Sequence, residues 1–114
     1  MRKLKDRDLE ILKRLAPEVE DRIRSGRGVE YRSILPPVSM HFAVDEEDLE
    51  DRLRKLPLED LTYLADRILD GSECLSCVSE EHARVISGVV KERISSEAAG
   101  MIKERYREST GFEI

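Results

Sequence analysis

Between Lys5 and Ser25 the apolar residues Leu12, Leu15, Val19 and Ile23 recur at intervals of three and four, and charged residues occupy most positions between them. That spacing is an amphipathic helical stripe. Pro17 interrupts it; because proline suits a first helical turn but not a helix interior, the pattern predicts two helices meeting near Ala16. "SGRG" at residues 25–28 then predicts the end, with Gly26 as the left-handed cap.

From residue 29 to 44 the helical period is lost. Val29 and Tyr31 alternate with Glu30 and Arg32, and Val38, Met40, Phe42 and Val44 alternate with Ser39, His41 and Ala43. Period two predicts an extended, polyproline-like segment around Pro36 and Pro37, with a short β-ribbon as the lesser option. It is also the least charged stretch of the chain, so it should lie against the helices.

Helical spacing returns at Asp45, where "DEEDLEDRLRKL" opens with acids and closes with Arg52, Arg54 and Lys55, an order that complements the helix dipole. Leu49, Leu53 and Leu56 form its stripe. Pro57 opens the next helix, striped by Leu58, Leu61, Leu64, Ala65 and Ile68 and capped by Gly71. Ser79 caps a helix carrying Ala83, Ile86, Val89, Val90 and Ile94. Ser95 or Ser96 caps the last one, whose inward residues are Ala99, Ile102 and Tyr106, and Thr110 and Gly111 end it.

The expected fold is therefore mainly α, a single domain over residues 1–114 built as a bundle of five or six short helices. Residues 1–28 form an N-terminal helical arm, 29–44 the extended Pro-Pro segment and 45–110 the bundle. A chain of 114 residues is long enough for one core and too short for two. The near absence of aromatics, five in all with no Trp, suits an aliphatic seam between helices.

Composition adds two expectations. Charged residues make up 39% of the chain, and Asn and Gln are missing altogether. Loss of thermolabile amides beside a dense ionic surface is a thermophile's pattern. The N-terminus has no apolar run behind its basic residues, and nowhere do 18 consecutive apolar residues occur, so a cytoplasmic protein without a membrane span is expected. The charge is uneven: +3 over residues 1–33, −8 over 34–80 and 0 over 81–114, which sums to the net −5.

The chemistry-bearing stretch is "GSECLSCVSEEH", residues 71–82, which holds both cysteines and one of two histidines. Cys74 and Cys77 have the spacing with which two thiolates grip a tetrahedral zinc, with His82 and His41 as the remaining ligands. One half-site lacks the doubled pattern that makes such motifs specific. Read as a redox pair, the same dithiol sits among Glu73, Glu80 and Glu81, which disfavour a thiolate, and no strand precedes it. The default reading is a turn between two helices with buried thiols.

No Walker loop, GxGxxG or HExxH occurs, no triad surrounds His41, and the acidic run at 45–51 lacks a calcium loop's central Gly. The expected function is accordingly a non-catalytic helical module for protein interaction or regulation, with no cofactor, and with a protein partner or a second copy meeting Ile34, Leu35, Pro36, Pro37, Val38, Met40 and Phe42. Those residues equally suit the domain's own core. Zinc at the cysteine turn is one alternative. Nucleic-acid binding is the other, through Arg2, Lys3, Lys5, Arg22, Arg24 and Arg27, although interleaved acids such as Asp6, Glu20 and Asp21 pair with these cations along the helix.

Overall fold

The computed structural model describes residues 5–24 and 32–114, the side chain of Ile23 apart. The expected Gly26 cap, the alternation at Val29 and Tyr31, and Arg2, Lys3 and Arg27 lie outside the described residues. Within them the protein is mainly helical, a compact bundle without strands. Its helices are α1 (Asp6–Leu15), α2 (Val19–Arg24), α3 (Glu46–Lys55), α4 (Leu58–Leu69), α5 (Glu80–Arg93) and α6 (Ser96–Thr110). None of the described helices is long and apolar enough to cross a membrane.

Helix boundaries follow the local chemistry. The predicted break near Ala16 is present, with α1 ending at Leu15 and α2 beginning two residues after Pro17. Asp45, Ser79 and Ser95 each cap a helix by accepting a backbone N–H, from Glu47, His82 and Ala98 respectively. Gly111 ends α6 at φ 83°, the left-handed conformation a C-terminal cap requires.

Two helices that run into a proline are finished from a distance instead. Neither α1 nor α3 has a glycine at its end, and Pro17 and Pro57 follow. The Arg52 guanidinium on α3 donates to the Leu15 carbonyl of α1 at 2.9 Å. Arg93 on α5 in turn donates to the Leu53 and Leu56 carbonyls at the end of α3, at 3.1 and 2.6 Å. Arg52 thereby satisfies a carbonyl at the end of α1, and Arg93 does so for Leu56 while adding a second donor to the Leu53 carbonyl, which already accepts the Leu56 N–H at 3.3 Å.

The stripes meet in one aliphatic core. Leu12, Leu15, Leu49, Leu53, Leu61, Leu64, Ile68, Ile86, Val90 and Ile102 are buried, as the spacing predicted. Leu58 is an exception, 52% exposed at the first turn of α4. The helix α5 packs between α3 and α6, α4 lies against α6, and α1 covers α3.

The Pro-Pro segment differs from the expected extended run. Pro36 has φ −55° and ψ −46°, and Pro37–His41 forms a π-type helical turn. Proline's fixed φ is as compatible with a first helical turn as with polyproline. The turn closes through Phe42 N–H to Pro37 C=O at 2.9 Å and Val44 N–H to Val38 C=O at 3.1 Å. Its burial is as expected: Ile34, Leu35, Val38 and Val44 belong to the core.

Candidate functional site

The cysteine turn follows α4 directly. Gly71, at φ 85°, reverses the chain, and Asp70 accepts the Ser72 N–H at 2.8 Å. Leu75–Cys77 then forms a single 3-10 turn, closed by Cys77 N–H to the Cys74 carbonyl at 3.2 Å. Leu75 and Val78 are buried and anchor it from below. Three further bonds fix it to its surroundings. Tyr106 of α6 donates its hydroxyl to Val78 C=O at 2.8 Å, Ser39 accepts the Ser79 N–H at 2.9 Å, and Ser33 donates to Ser72 C=O at 3.3 Å.

Both cysteines are free thiols, Cys74 exposed and Cys77 half-buried, with their sulfurs 3.3 Å apart. The Ser76 hydroxyl lies 3.2 Å from Cys74 Sγ. Hydrogen bonds from Ser76 and then from Cys77 hold the Cys74 thiol below its ordinary range. Its bond to Cys74, and then burial, push Cys77 up.

Glu73, whose charge was expected to oppose a thiolate here, turns inward. Its side chain has no exposed surface, and its carboxylate accepts Ile34 N–H at 2.9 Å and Leu35 N–H at 2.7 Å. Arg67 of α4 closes on its other oxygen at 2.7 and 2.8 Å. The same guanidinium lies 3.5 Å from Asp8, which is buried in the first turn of α1 and also accepts the Tyr63 hydroxyl at 2.6 Å and the Lys5 N–H at 3.0 Å. Arg7 stacks over the Tyr63 ring, 4.2 Å from its centre. One polar network thus joins α1, α4, the cysteine turn and the Pro-Pro segment. Glu80, the second acid of the stretch, pairs with Arg84 at 3.2 Å.

The histidines are placed elsewhere. His82 is buried, and its Nε2 bonds the Val44 carbonyl at 2.6 Å, so in the neutral ring that nitrogen carries the proton and the buried, unpartnered Nδ1 is an acceptor. His41 is exposed and meets the Phe42 ring edge-on at 4.8 Å. Among the described residues no three His, Cys, Asp or Glu side chains gather as metal donors, so of the four ligands expected from sequence only Cys74 and Cys77 come together.

Beside the dithiol is an open groove of about 450 Å³, lined by Cys77, Ser76, Glu80, Tyr106, Met40 and Phe112 among others. Met40 and Phe112 are 69% and 56% exposed. Of the apolar residues assigned to a partner from sequence, Ile34, Leu35, Pro37 and Val38 are buried in the core, and Pro36 and Phe42 are partly covered. Only Met40 stands fully outside, because the helical turn sends Val38 inward and Met40 outward. Phe112, Ser76 and Tyr106 complete the groove, although the sequence marks Tyr106 only as an inward residue of the last helix and assigns none of the three to a partner. Their shared location follows from α6 returning over the cysteine turn.

In the basic arm, Arg24 pairs with Glu20 at 3.8 Å and Arg7 with Asp60 at 3.2 Å, while Lys5 and the half-buried Arg22 lie along the same arm. Compared with known proteins, the chain matches no family model, and neither a curated protein nor a solved structure matches it.

Proposed function

We propose that the protein is a non-catalytic helical interaction module whose groove beside the cysteine turn takes a segment of another protein. The observation that carries this reading is the pair Met40 and Phe112, two large apolar side chains left in solvent that both line one groove, whereas the exposed Leu58 and Met101 do not line it. Isolated exposed apolar residues are ordinary, but two flanking one concavity are the usual form of an anchor pocket.

The occupant this chemistry favours is a segment that presents a large apolar side chain beside Lys or Arg. Glu80 lines the groove, Glu81 follows it, and residues 34–80 carry a net charge of −8. Opposite charge on the partner would steer association and orient the docked chain. The absence of Asn and Gln supports a thermophilic source, and the lack of a long apolar run supports a cytoplasmic setting.

Peptide display on the intact protein, counter-selected on a Met40→Ser, Phe112→Ser double variant, tests the reading. Expected are enriched peptides pairing an aliphatic or aromatic residue with a basic one, whose binding weakens in high salt and is lost on the double variant. Failure to enrich, or equal binding to the double variant, overturns it. So does sedimentation showing that a second copy fills the groove.

A further inference from the structure

We propose that Cys74 and Cys77 form a thiol–disulfide exchange site for exposed disulfides, with Cys74 as the attacking thiol and Cys77 as the resolving one. This assignment is independent of the docking reading and needs no partner protein to test.

The geometry comes from the turn. A 3-10 helix has three residues per turn, so side chains three apart lie on the same side, and the Cys77 N–H to Cys74 C=O bond holds that arrangement. The two sulfurs stand 3.3 Å apart, and closing to the roughly 2.05 Å of a disulfide requires side-chain rotation in an exposed turn rather than movement of a helix. Exposure separates the roles, since Cys74 meets solvent and Cys77 is half-covered at the groove wall.

Attack requires a thiolate. As a thiolate Cys74 can only accept, and the Ser76 hydroxyl and the Cys77 thiol stand 3.2 and 3.3 Å from its sulfur as donors for that state. Two of the three acids that discourage a thiolate in the bare sequence are occupied elsewhere, while Glu81 is exposed at the start of α5. Glu73 is buried against Arg67 and two backbone N–H groups, and Glu80 holds Arg84. The preference of the hydrogen bonds for a charged Cys74 and a neutral Cys77 matches the division of labour that exposure sets.

The co-reactant is a disulfide, R–S–S–R. The Cys74 thiolate attacks one of its sulfurs, forming a Cys74–S–S–R mixed disulfide while the R–S–S–R bond breaks and one RS⁻ leaves, taking up the proton that Cys74 released. Cys77 then gives up its proton and attacks Cys74 Sγ, displacing the second RS⁻, which accepts that proton. The chain's two thiols have lost two electrons to become one disulfide, and the co-reactant has gained them to become two thiols.

The test equilibrates the full chain with mixtures of oxidised and reduced glutathione, quenches with acid, and reads intact mass after alkylation. The expected product is the chain lacking two hydrogens and carrying no glutathione. Cys77→Ser should stop at one glutathione on Cys74, and Cys74→Ser should react about tenfold or more slowly at Cys77, which is half-covered at the groove wall. Native alkylation of the unaltered chain gives the same ranking without any variant, Cys74 labelling about tenfold or more faster. Stable glutathione adducts on the unaltered chain without the internal disulfide, or equal rates at the two cysteines, overturn the proposal.

Discussion

Glu73 joins the cysteine turn, α4 and the Pro-Pro segment through one carboxylate. It has no exposed side-chain surface, and its two oxygens serve Arg67 and the N–H groups of Ile34 and Leu35. Removing one member of a buried pair leaves the other desolvated and unmatched, so Glu73→Ala should cost about 3–5 kcal/mol in urea unfolding. Glu73→Gln keeps the shape and an acceptor for the two N–H groups but turns an NH₂ or a neutral oxygen toward Arg67. It should cost less, about 1.5–3 kcal/mol. None of this is visible in the sequence. There Glu73 reads as one more acid beside the cysteines, because its N–H partners lie 39 and 38 residues away and belong to no periodic pattern.

Tyrosine ionisation gives a second residue-level test. Donating to Asp8, and secondarily burial, raise Tyr63 above its ordinary value of 10.0, and burial, then Glu80 and Glu81, raise Tyr106. A group with a raised folded pKa contributes stability that is complete below the unfolded value and is lost as pH climbs through the folded one. Stability should therefore hold up to about pH 10 and fall above it. Denaturant midpoints across pH 8 to 12 should show that fall, and Tyr63→Phe or Tyr106→Phe should each make it shallower.

At the scale of elements, the helices were legible because their stripes repeat over many residues and their caps have short-range chemistry. Ser79, Ser95 and Asp45 act where they were expected to. The Pro-Pro segment was misread because its alternation covers only a few positions. True period two would put Val38 and Met40 on one face, whereas they are 1% and 69% exposed. Glycines separate conformational need from mere presence. An added Cβ meets nothing within 4 Å at Gly88, Gly100 or Gly111, but only Gly111 has positive φ. Gly111→Ala should destabilise by about 1 kcal/mol, while Gly88→Ala should stabilise by about 0.5–1 kcal/mol. Opposite signs in paired thermal melts would bear this out, and equal signs would not.

Across the whole molecule, the sequence made the aliphatic bundle legible but not which ends meet. The groove depends on α6 returning over a turn some thirty residues earlier, and the Tyr106 to Val78 bond that fixes the return spans 28 residues. The arginine caps have the same long-range character. Arg93 reaches two carbonyls 40 and 37 residues away. Both bonds leave the one nitrogen Nη1, which lysine's shorter chain and freely rotating ammonium do not hold in place, so Arg93→Lys should cost about 1–2 kcal/mol by denaturant titration. An unchanged midpoint would show that solvent satisfies those carbonyls equally well.

Arg52 finishes α1 from α3, and Arg93 finishes α3 from α5, so the closing part of α1 arrives on a helix that itself depends on α5. A fragment cut between α3 and α5 would keep the stripes of α1 and α3 but lose the guanidinium that closes α3, and the loosening would pass back through Arg52 to α1. The pair α1 and α3 is not a finished subassembly without α5. Heating should therefore find one transition, with calorimetric and van't Hoff enthalpies in agreement. Deuterium should reach the last turns of α1 and α3 only through the same global opening that frees α5.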